Sequence, residues 1–399
     1  MSLQIAKVKG IPIRAHFTLL VTFILISWTI AVRFTPPIYP DLSSTEYWTI
    51  GVSCAIVLFA SVVIHELSHS VLALRYGLHV REITLFIFGG VSNIEDLDVI
   101  GERKLTTPEE VSREFRKEFK IAVAGPIASF SIAAIMTPLF LLLSQGSLQS
   151  EFALSRIAEI VLLYGAIVNT LLGLFNLVPA FPLDGGRMLR ASILRWKKDY
   201  ERATKISARI GVIISYCFMG SGFIIMFFGD FFGGMWILLI GWFLNNGARS
   251  YISQHQIFSL LDGLKLREIM NTNIVYLKDT FTINESLTKY FNKYAKDSFP
   301  VLDDQGHLLG VVTFKEASNI HESAKGNSLI RDIMIPVNDL VIMPEYGAVD
   351  EALMKMARKP VRRIFVCDKD GKLLGLVSKT DIMNVAIKRK EFMKNVKKF

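Results

Sequence analysis

Charge is in short supply in this chain. Only 20% of its 399 residues are charged, against 51% hydrophobic residues and 28 Phe. Soluble domains carry about 25% charged residues. The shortfall, with a mean hydropathy of +0.39, points to a membrane protein. Cysteine is scarcer still. Cys54, Cys217 and Cys367 stand far apart, which excludes a disulfide framework and a cysteine metal pair. They read as buried or cytosolic thiols. A cleavable signal peptide is also missing, because the apolar segment after Arg14 is long and no small-residue cleavage site follows it cleanly. Acidic residues are outnumbered, and the net charge is +9. That excess is no nucleic-acid footprint: the basic residues lie beside apolar segments, where the positive-inside bias puts them.

Six apolar runs are present, at roughly residues 16–32, 48–74, 121–143, 157–177, 210–228 and 231–244. Most approach the roughly 20 residues that a spanning helix needs. The segments between them alternate in charge. Residues 34–47 hold no Lys or Arg, and residues 144–156 hold only Arg156. Residues 75–120 and 179–209 hold eight each, Arg103, Lys104, Arg113 and Lys120 among the first set. This pattern places both basic loops, and both termini, in the cytosol.

The second run contains His65-Glu66-Leu67-Ser68-His69. On a helix, residues four apart share a face. Two imidazoles can therefore meet one metal ion, with Glu66 beside them as a base. Desolvation normally keeps such residues out of spanning helices, so their presence there marks function by default. His65 lies ten residues before Arg75, which sets the metal about 15 Å below the cytosolic surface. Catalytic zinc wants three protein ligands and an open position. Asp184 is the third ligand expected. Pro179 and Pro182 break the end of the fourth run, and broken backbone at membrane depth is tolerated only inside protein or around water. The alternative is a plain cytosolic Asp-Gly-Gly turn. His79 falls beyond the helix end and reads as a surface residue.

These residues resemble the site-2 protease family of intramembrane zinc metalloproteases. Its two signatures are HExxH in the second span and the segment matched here by Asn176-Leu177-Val178-Pro179-Ala180-Phe181-Pro182-Leu183-Asp184-Gly185-Gly186. The resemblance covers roughly the first 250 residues. It implies one zinc per chain on His65, His69 and Asp184, with Glu66 activating water. It implies a part for Asn176 in holding substrate or the oxyanion. Asn176 reads equally well as a polar residue that bonds freed helix backbone. In the family a segment similar to residues 83–91 forms a small membrane-embedded sheet, whose open edge would pair with an unwound substrate strand. A simple cytosolic hairpin is the other reading of that segment. Many members have Asn after the Gly-Pro of the third span. Here Gly125-Pro126 is followed by Ile127-Ala128-Ser129, which leaves Ser129 without a role.

From about residue 260 the chain turns into a soluble α/β region with an internal repeat. Leu266-Arg267-Glu268-Ile269-Met270 recurs as Ile330-Arg331-Asp332-Ile333-Met334. The strand–acidic turn–strand unit that begins at Phe299 recurs from Ile364. The repeat resembles a tandem pair of CBS domains, about 264–322 and 328–390. The resemblance implies an adenine nucleotide, ATP first, with Ser378 and Asp381 at its ribose, and a homodimer through the pair. An ordinary helix cap by Ser378 or Thr380 is the alternative. In the first copy Glu316 stands where the pattern has Asp.

The fold expected is a polytopic α-helical membrane domain of about six transmembrane helices, residues 1–250, then a soluble α/β tandem CBS-domain module, residues 251–399. The function expected is an intramembrane zinc endopeptidase that cuts transmembrane segments of partner membrane proteins. The rival is a CBS-regulated ion channel or transporter, in which His, Glu and Asp would mark an ion path. Transport needs neither ligand spacing nor an activating Glu. An inactive scaffold is opposed by the intact Glu66.

Overall fold

The computed structural model describes residues 2–86, 89–94, 107–145, 153–321, 324–358 and 361–396. The chain forms two compact units, Met1–Ser253 and Gln254–Phe399.

Six helices of the first unit are long and apolar enough to cross a membrane: Phe17–Ile38, Ser44–Arg75, Pro108–Ser144, Ser155–Asn176, Tyr200–Phe227 and Phe231–Ser253. They contain the six apolar runs, but several begin earlier than hydropathy alone places them. Thr107 and Glu110 form a reciprocal cap, with backbone N–H to side-chain distances of 3.2 Å each way, and Pro108 suits the first helical position. The third helix therefore starts thirteen residues before the apolar run. Arg113, Arg116, Lys117 and Lys120 ride on that helix rather than in a loop. Arg103 and Lys104 lie outside the described residues. Asp199 accepts the Arg202 N–H at 2.9 Å and starts the fifth helix at Tyr200. Most of the second basic segment is likewise helical, as Asp184–Lys197.

Without a hydrophobic force between helices in lipid, close packing needs small side chains at crossings. The fifth and sixth helices meet at such a point. A Cβ on Gly222 would lie 2.7 Å from the Gly234 carbonyl oxygen, and one on Gly234 would lie 2.4 Å from that of Gly222.

A four-stranded sheet accompanies these helices, in the order β1 (Ser2–Val8), β2 (Ile11–His16), β3 (Val80–Phe86), β4 (Gly89–Ile94). The first apolar run begins at residue 16, and β1 and β2 precede it. β1 and β2 form a hairpin around Lys9 and Gly10, both at positive φ (48° and 86°), as a two-residue primed turn requires. β2 pairs β3 in parallel, and β3 pairs β4 antiparallel. Residues 83–91 are thus the β3–β4 hairpin, with Ile87 and Phe88 outside the described residues. The alternating residues Ile11, Ile13, Ile83 and Leu85 bury one sheet face against Val62, Ala73 and Ile121. Among the described residues β4 is an edge strand.

In the second unit the first repeat supplies β5 (Leu277–Lys278), β6 (Ser298–Leu302) and β7 (Leu308–Thr313), and β8 (Ile335–Pro336), from the start of the second copy, completes their sheet. The second builds β9 (Ile342–Pro344), β10 (Arg363–Cys367) and β11 (Leu373–Ser378), ordered β11-β10-β9. The two turn glycines match: Gly306 has φ 87° and Gly371 φ 88°. The copies also exchange their leading segments. Leu266 N–H donates to Gly347 O (2.9 Å) and Asn271 N–H to Leu376 O (2.9 Å), while Ile330 N–H donates to Phe281 O (2.9 Å). Leu264 and Leu266 join the core of the second copy, and Ile330 joins that of the first.

Candidate metal centre

The second apolar helix sets His65 and His69 one turn apart, with ring centroids 4.9 Å from each other. Both are buried. The fourth apolar helix stops at Asn176, and a loop containing Pro179 and Pro182 returns the chain into the bundle. Asp184 then opens a short helix. Its Oδ2 lies 3.1 Å from Nε2 of His65 and 3.1 Å from Nε2 of His69. The return is tight enough to need both following glycines. A Cβ on Gly185 would meet Leu177 O at 2.3 Å, and one on Gly186 would meet Phe181 N at 2.6 Å. Phe181 is fully buried and stacks on Tyr251 at 4.2 Å.

The imidazoles are fixed from behind by the third helix. Nδ1 of His69 donates to the Ile121 carbonyl at 2.7 Å. A carbonyl only accepts, so in the neutral ring Nε2 carries a lone pair. That lone pair is buried, has no hydrogen-bond partner among the described residues, and lies 3.1 Å from the Asp184 carboxylate. Two acceptors aimed at each other repel, and a cation between them turns repulsion into ligation. Nδ1 of His65 lies 2.9 Å from Ser129 Oγ. Ser129 thereby gains a position behind one histidine, which its sequence context had left open. Between Ile121 and Ser129, Gly125 keeps space beside the donors. A Cβ there would lie 2.2 Å from His69 Nε2 and 2.5 Å from His65 Nε2. The ligand atoms of His65, His69 and Asp184 all lie within 4.8 Å of one another. Two imidazole nitrogens, one carboxylate oxygen and an uncrowded side form a donor set that zinc accepts.

Glu66 points to the sheet. Ser92 Oγ, on β4, lies 2.8 Å from Glu66 Oε2 and 3.1 Å from Ser70 Oγ. A Cβ on Gly90 would approach Glu66 Cγ to 2.5 Å. Gly90 falls in the segment 83–91 that the family resemblance sets near the site, whereas Ser92 lies just beyond it. The stripe Ile121, Gly125, Ser129 was open to reading, since residues four apart share a helix face.

Asn176 donates its amide to Leu172 O at 2.9 Å, the backbone-bonding arrangement. In the second unit Ser378 and Asp381 cap a helix reciprocally: Ser378 Oγ donates to Asp381 Oδ2 (2.6 Å) and Asp381 N–H donates to Ser378 Oγ (3.2 Å). Thr313 and Glu316 make the same pair of bonds at 2.6 and 3.3 Å. The Asp-to-Glu difference leaves the cap unchanged.

A model of peptidase family M50 matches residues 53–218, and the CBS domain model matches residues 266–319 and 330–388. A zinc metalloprotease of Methanocaldococcus jannaschii is 31% identical over 383 residues, covering 96% of this chain and 95% of that protein. The chain belongs to peptidase family M50, the site-2 proteases. Rip3 of Mycobacterium tuberculosis is 28% identical over 387 residues, 96% of this chain and 92% of that protein. A solved site-2 protease from M. jannaschii matches at 28% identity with a TM-score of 0.40, covering 63% of this chain and 95% of that one. This site-2 protease is a zinc metalloprotease and a multi-pass membrane protein with a tandem CBS pair. The channel and scaffold readings are set aside.

The outer contacts of the histidines carry a measurable expectation. Ser129→Ala should lower zinc affinity on the order of 10–100-fold, the usual loss when a ligand's own partner is removed. Competition with a chelator reads it. Unchanged affinity would make Ser129 a packing residue only.

Proposed function

We propose that this site-2 protease cuts transmembrane segments of partner membrane proteins, with one zinc held by His65, His69 and Asp184. The observation that carries this reading is the convergence of Asp184 on two histidines that lie inside a helix long and apolar enough to span a membrane. A peptide bond must come to membrane depth to reach them. Bound there, zinc acidifies water and polarises a peptide carbonyl. Glu66 takes the proton of the attacking water and passes it to the leaving amine nitrogen. Ser92 anchors Oε2, and Oε1 is the oxygen assigned to that proton. Gly90 lets β4 lie against the base. The free edge of β4 offers backbone groups to an unwound substrate strand, which brings its carbonyl to Glu66. Asn176 can assist the oxyanion only after its amide leaves Leu172 O. The basic helices on one side of the bundle favour cytosolic termini and a cytosolic CBS pair.

The direct test is purified protein in lipid with a model single-span substrate. Wild type should hold about one zinc per chain and cleave within the span, as a single structural catalytic site requires. His65→Ala should lose both zinc and cleavage. A zinc-free but active wild type would overturn the site.

We further propose that the CBS pair binds an adenine nucleotide at Ser378 and Asp381, assembles as a homodimer, and regulates cleavage. The cap uses Asp381 Oδ2, so Oδ1 is available to ribose hydroxyls. ATP should bind by calorimetry, and Asp381→Ala should abolish that binding. The cleavage rate should respond to ATP by about 5–150-fold, the range of typical allosteric coupling. No heat of binding, or equal rates with and without ATP, would leave the pair a structural module.

A further inference from the structure

A second set of charges is buried in the first unit, apart from the donors. Glu118 is 2% exposed and Arg190 1%. Arg190 Nε donates to Glu118 Oε1 at 2.6 Å, and its Nη2 lies 2.5 Å from the same oxygen. Among the described residues Glu118 Oε2 has no hydrogen-bond partner. The guanidinium packs on the rings of Phe181 (5.3 Å) and Tyr200 (4.9 Å). Stability explains this pair poorly. Desolvating two ions is costly, and apolar side chains of the same volume often serve as well or better.

Its placement explains more. Arg190 sits six residues after Asp184 on the helix that Asp184 opens. Glu118 sits three residues before Ile121 on the helix that also carries Gly125 and Ser129. One ion pair thus joins the element that presents the carboxylate donor to the element that fixes both imidazoles. Phe181, stacked by the guanidinium, belongs to the loop that delivers Asp184. Arg is the cation suited to this, since its planar fork fixes direction and its faces stack on rings.

We propose that Glu118 and Arg190 are positioning residues that set Asp184 against His65 and His69, and thereby set the zinc affinity. This rests on the zinc site proposed above. Neither residue touches the reacting atoms.

The test uses the full chain in detergent and three variants: Glu118→Leu/Arg190→Met, Glu118→Gln and Arg190→Lys. The double variant leaves no unpaired buried charge and keeps apolar volume against Phe181 and Tyr200. It should keep the melting temperature of the zinc-free protein. Its zinc affinity, by chelator competition, should fall on the order of 10–100-fold. Its cobalt-substituted form should show a shifted ligand-field spectrum, a signature that packing alone does not move. Arg190→Lys keeps the charge without the fork and should fall between wild type and double variant. Glu118→Gln, isosteric, supplies the same readouts if the double variant fails to fold. Wild-type zinc affinity with an unchanged cobalt spectrum, in the double variant or in folded Glu118→Gln, overturns the proposal. A wild-type protein that holds no zinc overturns instead the site on which it rests.

Discussion

Glu66→Gln is expected to keep the fold and the zinc while cleavage drops on the order of 10²–10⁴-fold, the usual contribution of a general base. The variant is clean for structural reasons. Gln has the shape of Glu, so the contact with Gly90 persists. Its amide oxygen can still accept from Ser92, whose hydroxyl lies 2.8 Å from Oε2. The two imidazoles and Asp184 are untouched. What disappears is the ability to accept a proton from water. Cleavage of the single-span substrate, with zinc content measured on the same sample, separates the two effects. Near-normal turnover with full zinc would end the assignment of Glu66 as base. The variant also traps the biological substrate. Membrane proteins that accumulate uncut beside it, and not beside wild type, are candidates.

Gly125→Ala should have an effect of similar size by a different route. The added methyl would sit 2.2 Å from Nε2 of His69 and 2.5 Å from Nε2 of His65, closer than real Cβ atoms come to their neighbours. The imidazoles must swing away, and their anchors on Ile121 and Ser129 oppose it. Ligand displacements near 1 Å commonly cost on the order of 10²-fold in rate, and loss of zinc affinity should be at least as large. The helix itself does not suffer, because Ala is about 1 kcal/mol better than Gly inside a helix. The expected signature is lost metal binding in a protein that still folds, read by chelator competition beside a zinc-free melting curve. Gly125→Ala protein that holds zinc normally would show that the space beside the donors is not where the ion sits.

The residues that sequence alone made legible are those whose geometry is local. His65 and His69 are four apart on one helix, so their shared face follows from helical periodicity. Asp184 lies 119 residues from His65 and was reached only through the two prolines that end a helix before it. Ser92 was out of reach, since a hairpin partly outside the described residues brings it 26 residues back to Glu66. The Glu118–Arg190 pair spans 72 residues; Arg190 counts only as one of eight basic residues in its segment, and Glu118 carries no signal of its own. Hydropathy found the six helices but marked only their apolar lengths. Thr107 with Glu110, and Asp199, mark two of the true starts. The β1–β2 hairpin was passed over because its alternating residues run directly into an apolar helix, although Lys9-Gly10 is a turn signal.

The exchange of leading segments in the CBS pair has a consequence for how the repeat is inherited and handled. Leu266 completes the interior of the second copy, and Ile330 that of the first. Two units in the gene are therefore a single object in folding. Ending the chain after the first copy takes away Ile330, which that copy cannot replace, and strands Leu264 and Leu266 without the walls they were built to touch. Neither half is an heirloom that can be passed on alone, and a frameshift ahead of Ile330 costs the first copy the residue that completes its core.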